Sequence, residues 1–235
     1  MSDALEDLVM LQPPTADRPL LGTIILVVED SRHACEALRL ICQRSGARVR
    51  RAESLASAER HLRSYRPRVA VIDLGLPDGS GLELIAQLAH SDPRIDGIIA
   101  TSGDETLQDA ALKAGADVFL PKPLSSISHF QQVVLDLSPS KMRPAHLNPP
   151  QNDEITPDPI ALRDDLALAS DLLRNAPSDQ TLEYVASFLI GLSKNAALPD
   201  LEELGGEVRA AISTPSTLKQ VASKVEAFAG AMEPV

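Results

Sequence analysis

From Gly22 onward, short apolar runs alternate with longer stretches whose apolar residues recur every three or four positions. Ile24-Ile25-Leu26-Val27-Val28 is a continuous β-branched run, the pattern of a strand buried on both faces. Residues 31–45 carry Ala34, Leu38, Ile41 and Cys42 at helical spacing, and Arg48 to Ala52 reads as a polar strand suited to an edge. Residues 54–65 are predicted helical, with Leu55, Ala58 and Leu62 on one face. Val69 to Leu74 is the next strand, 81–90 a helix, Gly97 to Thr101 a strand and 104–114 a helix. Asp117 to Leu120 and 124–137 add a last strand and helix. Five strand–helix units in a row predict an α/β fold, a parallel sheet with helices on both faces. Right-handed crossovers leave few topologies for such a sheet.

The pattern then changes. Residues 138–159 contain Pro139, Pro144, Pro149, Pro150, Pro157 and Pro159, the composition of a stiff, exposed linker. Beyond it only helical spacing remains. Leu162, Leu166, Ala169 and Leu173 share a face, as do Leu182, Val185, Ala186 and Leu189. Leu201, Leu204, Val208 and Ile212 form a third stripe, and Leu218, Val221, Val225 and Phe228 a fourth. Helix starts are expected at Asp158-Pro159, Ser178, Asp200 with Glu203, and Thr214-Pro215. The expected division is an N-terminal arm (1–21), an α/β domain (22–138), a Pro-rich linker (139–159) and a small all-α interaction domain (160–235).

Composition narrows the function. The 235 residues include 22 basic and 33 acidic side chains, a net charge of −11. Such a chain repels nucleic acid and anionic lipid unless it carries a local basic patch. There is no Trp, and aromatics are scarce, so base-stacking platforms are not expected. Cys35 and Cys42 lie two helical turns apart, roughly 10 Å, too far for a disulfide. They read as small buried apolar residues in a reducing compartment. No segment is apolar enough to span a bilayer, and the first ten residues are acidic rather than basic, unlike a signal peptide. A cytoplasmic location is expected.

The chemistry is concentrated in "VIDLGLPDGSG", Val71 to Gly81, where a carboxylate ends an otherwise apolar strand and a turn follows. Ligands of open parallel sheets sit at the carboxyl ends of the strands. There the first strand delivers Glu29 and Asp30, the third Asp73, the fourth Thr101 and Ser102, and the fifth Lys122 with Pro123. Three carboxylates held close repel one another unless a cation neutralises them, and hard oxygen ligands suit Mg²⁺. A carboxylate can also act as a nucleophile and become an aspartyl phosphate. A lysine and a hydroxyl beside it can then hold the phosphoryl oxygens.

The segments "VVED", "VIDLGLPDGSG", "IIATSGDE" and "LKAGADVFLPKP" follow one another between Val27 and Pro123. With them, residues 22 to about 137 resemble the receiver domain of bacterial two-component response regulators, of the chemotaxis-regulator type. The resemblance implies a flavodoxin-like five-stranded sheet of order 2-1-3-4-5. It implies Asp73 as phosphoacceptor and Mg²⁺ ligand, Asp30 as a direct Mg²⁺ ligand, Glu29 as a ligand largely through water, and the Gly75 carbonyl as a further ligand. It implies Lys122 on a phosphoryl oxygen, Thr101 (or its neighbour Ser102) as the switch hydroxyl, Phe119 as the rotating aromatic, and a cis Lys122–Pro123 bond. It says nothing about residues 138–235.

The expected function is a phosphorylation-controlled response regulator, served by a sensor histidine kinase or phosphotransfer protein, with no catalysis beyond its own phosphorylation and dephosphorylation. Output through an unknown protein or a second copy of the chain is expected, not through nucleic acid. Residues 150–235 carry six basic and fourteen acidic residues, a balance of −8, and no histidine, which also excludes a histidine phosphotransfer module there. Two rivals remain. A phosphate-independent scaffold is disfavoured by the complete acidic set. An aspartyl-phosphate phosphohydrolase of the haloacid-dehalogenase type needs a second acid two residues after the nucleophile, where this chain has Gly75.

Overall fold

The computed structural model describes residues 13–140, 143–175 and 177–231. The first twelve residues of the expected arm and the last four of the chain lie outside the described residues. Five parallel strands, β1 (Ile24–Val28), β2 (Arg48–Ala52), β3 (Val69–Asp73), β6 (Gly97–Ser102) and β7 (Val118–Pro121), form one sheet in the order β2-β1-β3-β6-β7. This is the 2-1-3-4-5 order, since β4 (Gly75–Leu76) and β5 (Gly79–Ser80) are a separate two-stranded hairpin. Helices α1 (Arg32–Ser45), α2 (Leu55–Ser64), α3 (Gly81–Ala89), α4 (Gln108–Ala114) and α5 (Ile127–Leu137) connect and flank it.

Both faces of the sheet are buried, which is why its central strands are apolar throughout. Leu26, Val28, Ala70, Ile72, Ile98 and Ala100 pack with α3 residues Leu84, Ile85 and Leu88. Ile25, Val27, Val69, Val71 and Ile99 pack on the other side with Leu38, Ile41, Phe130 and Val134 of α1 and α5. Burying each such aliphatic side chain contributes ~1.5–3 kcal/mol. The polar strand β2 is indeed the edge. Cys35 and Cys42 are free and buried in this core.

The remaining helices, α6 (Pro159–Arg174), α7 (Asp179–Ala196), α8 (Pro199–Ser213) and α9 (Leu218–Ala231), share a third apolar cluster built from the four predicted stripes. Asp158 and Ser178 cap α6 and α7 as their sequence signals suggest. Asp200 does not cap α8; that helix starts one residue earlier at Pro199, whose missing N–H suits the first turn, and Asp200 sits inside it. Thr214 precedes a 3₁₀ turn, Pro215–Thr217, rather than α9 itself. The stretch 104–114 likewise opens as a 3₁₀ turn, Glu105–Leu107, with Asp104 accepting from the Thr106 N–H, before α4 begins.

The Pro-rich stretch is not wholly exposed. The Asp153 carboxylate and carbonyl accept from Ser126 Oγ, Ser128 N–H and Ile127 N–H at the start of α5, and Ile155 is buried in the core on that side. An acidic residue at a helix N-terminus and one apolar anchor fasten the segment in spite of its prolines.

Candidate functional site

The strand tips deliver their polar residues to one rim. Asp73 closes β3, in register with Thr101 on β6. The turn after Asp73 fits because Gly81 opens α3 against the Asp73 carbonyl: a Cβ there would lie 2.1 Å from that oxygen. This explains the last glycine of "PDGSG". Glu29 and Asp30 follow β1, and the Glu29 N–H donates to Ala52 O of the neighbouring strand. The backbone N–H of Lys122, after β7, donates to Ser102 O. The Lys122–Pro123 bond is cis.

These placements produce a buried ionic centre. Lys122 Nζ lies 2.7 Å from Glu29 Oε2 and 3.0 Å from Asp73 Oδ1, and all three side chains are less than a tenth exposed. Glu29, Asp30 and Asp73 each bring a carboxylate oxygen within 4.8 Å of the others. Three carboxylates against one ammonium leave two negative charges uncompensated. Burial, followed by repulsion from Asp73 and Asp30 and opposed by Lys122, pushes Glu29 up to about 8. Burial and Asp73 push Asp30 up to about 6. Burial alone would lower Lys122, but Asp73 and Glu29 outweigh it and hold the ammonium charged. The acids thus carry a charge deficit that a divalent cation among them would remove. The all-oxygen donor set fits magnesium, and this group of residues could hold it.

The hydroxyls differ. Ser102 Oγ accepts from the Asp104 N–H and serves the following turn. Thr101 Oγ1 is fully buried beside Asp73 and has no hydrogen-bond partner among the described residues. A buried hydroxyl without a partner costs about 1–3 kcal/mol, which a ligand oxygen would recover. The Gly75 N–H donates to Asp73 Oδ2 at 3.2 Å. Phe119 packs in the apolar cluster below the rim, opposite Ala100, and does not join the ionic centre.

Residues 25–134 match the family model of the response regulator receiver domain. These residues form a response regulator receiver domain. The transcriptional regulatory protein PhoP of Escherichia coli O157:H7 is 35% identical over 112 residues, 47% of this chain and 48% of its own. The KDP operon transcriptional regulatory protein KdpE of Escherichia coli K12 is 36% identical over 101 residues, 43% and 45% respectively. The chain spans about half the length of the curated relatives it matches. Among solved structures, a Burkholderia pseudomallei response regulator with a phosphorylated aspartic acid, calcium ion and citrate is 26% identical with a TM-score of 0.43, over 51% of this chain and 68% of that one. No helix among the described residues is long and apolar enough to cross a membrane.

Two residues at the receiver rim come from the helical bundle, and the sequence reading does not single them out. Tyr184 Oη of α7 donates to Asp30 Oδ2 at 2.5 Å. Asp165 of α6 accepts from Ser31 Oγ, Arg32 N–H and His33 N–H at the start of α1, at 2.8 to 3.0 Å. A signal existed for Asp165: it stands three residues after Leu162 and four before Ala169, a carboxylate on an apolar stripe. A polar residue there marks a buried contact with a partner.

Proposed function

We propose that the protein is a phosphorylation-controlled response regulator whose Asp73 accepts a phosphoryl group from a sensor histidine kinase or phosphotransfer protein. The observation that carries this reading is the convergence of Asp73 with Lys122, two further carboxylates and the partnerless Thr101 hydroxyl. Asp30 would hold Mg²⁺ directly, with Glu29 through water and the Gly75 carbonyl as a further ligand; bound there, the ion would offset the negative charge of the incoming phosphoryl group. Lys122 is placed to bond a phosphoryl oxygen on Asp73, and the Thr101 hydroxyl to turn toward another. Phe119, on the strand paired with Thr101's, is the aromatic that would follow that turn and bias a two-state receiver.

We assign the output to protein contacts. The two relatives above are transcriptional regulators by name, but the C-terminal helices here, Pro159–Ala231, belong to a segment, 150–235, whose charge balance is −8, which DNA phosphates repel.

Incubation with acetyl phosphate and Mg²⁺ is expected to give one alkali-labile phosphoryl group per chain on the wild type. Asp73→Asn is expected to give none. Equal labelling of the variant would overturn the assignment.

A further inference from the structure

Helix α7 lies across the receiver's rim. At one side Tyr184 holds Asp30; seven residues on, two turns or roughly 10 Å, Gly191 meets the loop after β6. A Cβ on Gly103 of that loop would come within 3.2 Å of the Gly191 Cα, so the backbones touch. The helix therefore bridges both flanks of the opening above Asp73. Asp165 holds the neighbouring α6 on the receiver, supplying a carboxylate to the N-terminus of α1, where free N–H groups and the helix dipole favour an anion.

The bridged rim is not sealed. A cavity of about 490 Å³ remains between receiver and bundle. Glu29, Asp73 and Lys122 line it from the receiver, and Ser187, Lys194 and Arg209 from the bundle. That volume suits a small molecule, and because Lys194 and Arg209 are each paired with a bundle carboxylate, Glu202 and Glu183, the cavity selects by size. It does not suit a helix, whose diameter with side chains is about 10–12 Å.

We propose that the bundle is a selectivity gate over Asp73. Held by Asp165 and Tyr184, it admits a small acyl phosphate through the cavity and excludes a phosphohistidine carried on a protein until it swings away. This rests on Asp73 being the phosphoacceptor. In either transfer an Asp73 carboxylate oxygen attacks phosphorus. With an acyl phosphate the phosphorus–oxygen bond breaks, and the electron pair leaves with the carboxylate. With phosphohistidine the phosphorus–nitrogen bond breaks, and the imidazole that leaves takes up a proton. Tyr184 and Asp165 touch neither donor; they decide which donor arrives.

The rate with a protein donor then scales with the open fraction, whereas the rate with a small donor does not. Asp165→Arg places a cation at the positive end of α1 and is expected to open the gate; Tyr184→Phe removes a second hold, and the exposed Arg32–Asp164 pair is left in both variants. Both full-length variants, checked for native helicity by circular dichroism, would be compared with the wild type using acetyl phosphate and a purified phosphotransfer protein carrying phosphohistidine. Acetyl phosphate is expected to label all three within about threefold. The protein donor is expected to label Asp165→Arg about tenfold faster than the wild type or more, and Tyr184→Phe by an intermediate factor. Equal rates with the protein donor across the three, or transfer undetectable even in Asp165→Arg, would overturn the gate. So would a wild type that acetyl phosphate labels only once the gate is opened. Failure of acetyl phosphate to label any of the three would instead remove Asp73 as the acceptor.

Discussion

The receiver and the bundle bury their apolar residues equally well but use their polar residues differently. In the strands inside the β2 edge, polar side chains stand at strand tips, so position along the chain and position in the site coincide: Glu29, Asp73, Thr101 and Lys122 each lie at or just beyond the end of a strand. In the bundle, polar side chains cover outer faces, and most form exposed pairs such as Arg209–Glu183 and Lys194–Glu202, worth little individually. Asp165 and Tyr184 leave that pattern and reach the receiver, where the exposed Arg32–Asp164 pair joins them. A polar residue of a sheet is informative because it is out of place in an apolar strand. A polar residue of a helix becomes informative only when it falls on the apolar face.

The sharpest way to break this contrast is to remove the ammonium at the centre of the receiver site. Lys122→Ala leaves Glu29 and Asp73 buried without their counter-charge, and a loss of about 3–5 kcal/mol is expected. Mg²⁺ is expected to restore part of it, read as a rise in the variant's melting temperature larger than the wild type's. An equal rise in both would mean that the carboxylates are not short of positive charge.

Core truncations separate the two regions next. Ile72→Ala and Leu189→Ala each empty a fully buried position and are expected to cost about 2–5 kcal/mol. The first sits on Asp73's own strand and should lower both thermal stability and labelling of Asp73 by acetyl phosphate. The second lies in the bundle and should lower stability while labelling persists. Loss of labelling in Leu189→Ala would show the site to depend on the bundle, not merely to lie beneath it.

The smallest effect concerns pH. His33 sits at the start of α1, beside Asp165; burial holds its imidazole below the ordinary 6.5, with Asp165 opposing. The folded chain therefore resists protonation that the unfolded chain accepts. Its contribution to stability is present above pH 6.5 and is lost as pH falls below that value. Melting temperatures of the wild type and His33→Gln, compared between about pH 5 and 8, are expected to diverge on the acid side, the wild type falling more steeply. Parallel curves would remove His33 from the account.

The strands and most helices of the receiver were legible because short continuous apolar runs and stretches of 3.6-residue spacing separate clearly in residues 24–137. The stripes of the bundle were legible for the same reason. The boundaries that shifted did so where backbone chemistry competed: Pro199 opened α8 ahead of Asp200, and 3₁₀ turns preceded α4 and α9. The linker misled because proline content predicts stiffness but not contact, and Asp153 and Ile155 supply the contact.

What the sequence by itself determined is the inventory of the rim: which carboxylates, which hydroxyls and which lysine the strand ends deliver, since alternation of apolar runs fixes where each strand stops. It did not determine how those groups divide their work. That Ser102 Oγ serves a turn while Thr101 Oγ1 stays without a partner depends on which way each side chain meets its neighbours. Nor could it place Tyr184 on Asp30 or Asp165 on the first turn of α1, contacts across more than 130 residues. Local spacing carries no information about how two finished domains pack, because that is decided by the shapes and charges of surfaces that exist only after each has folded.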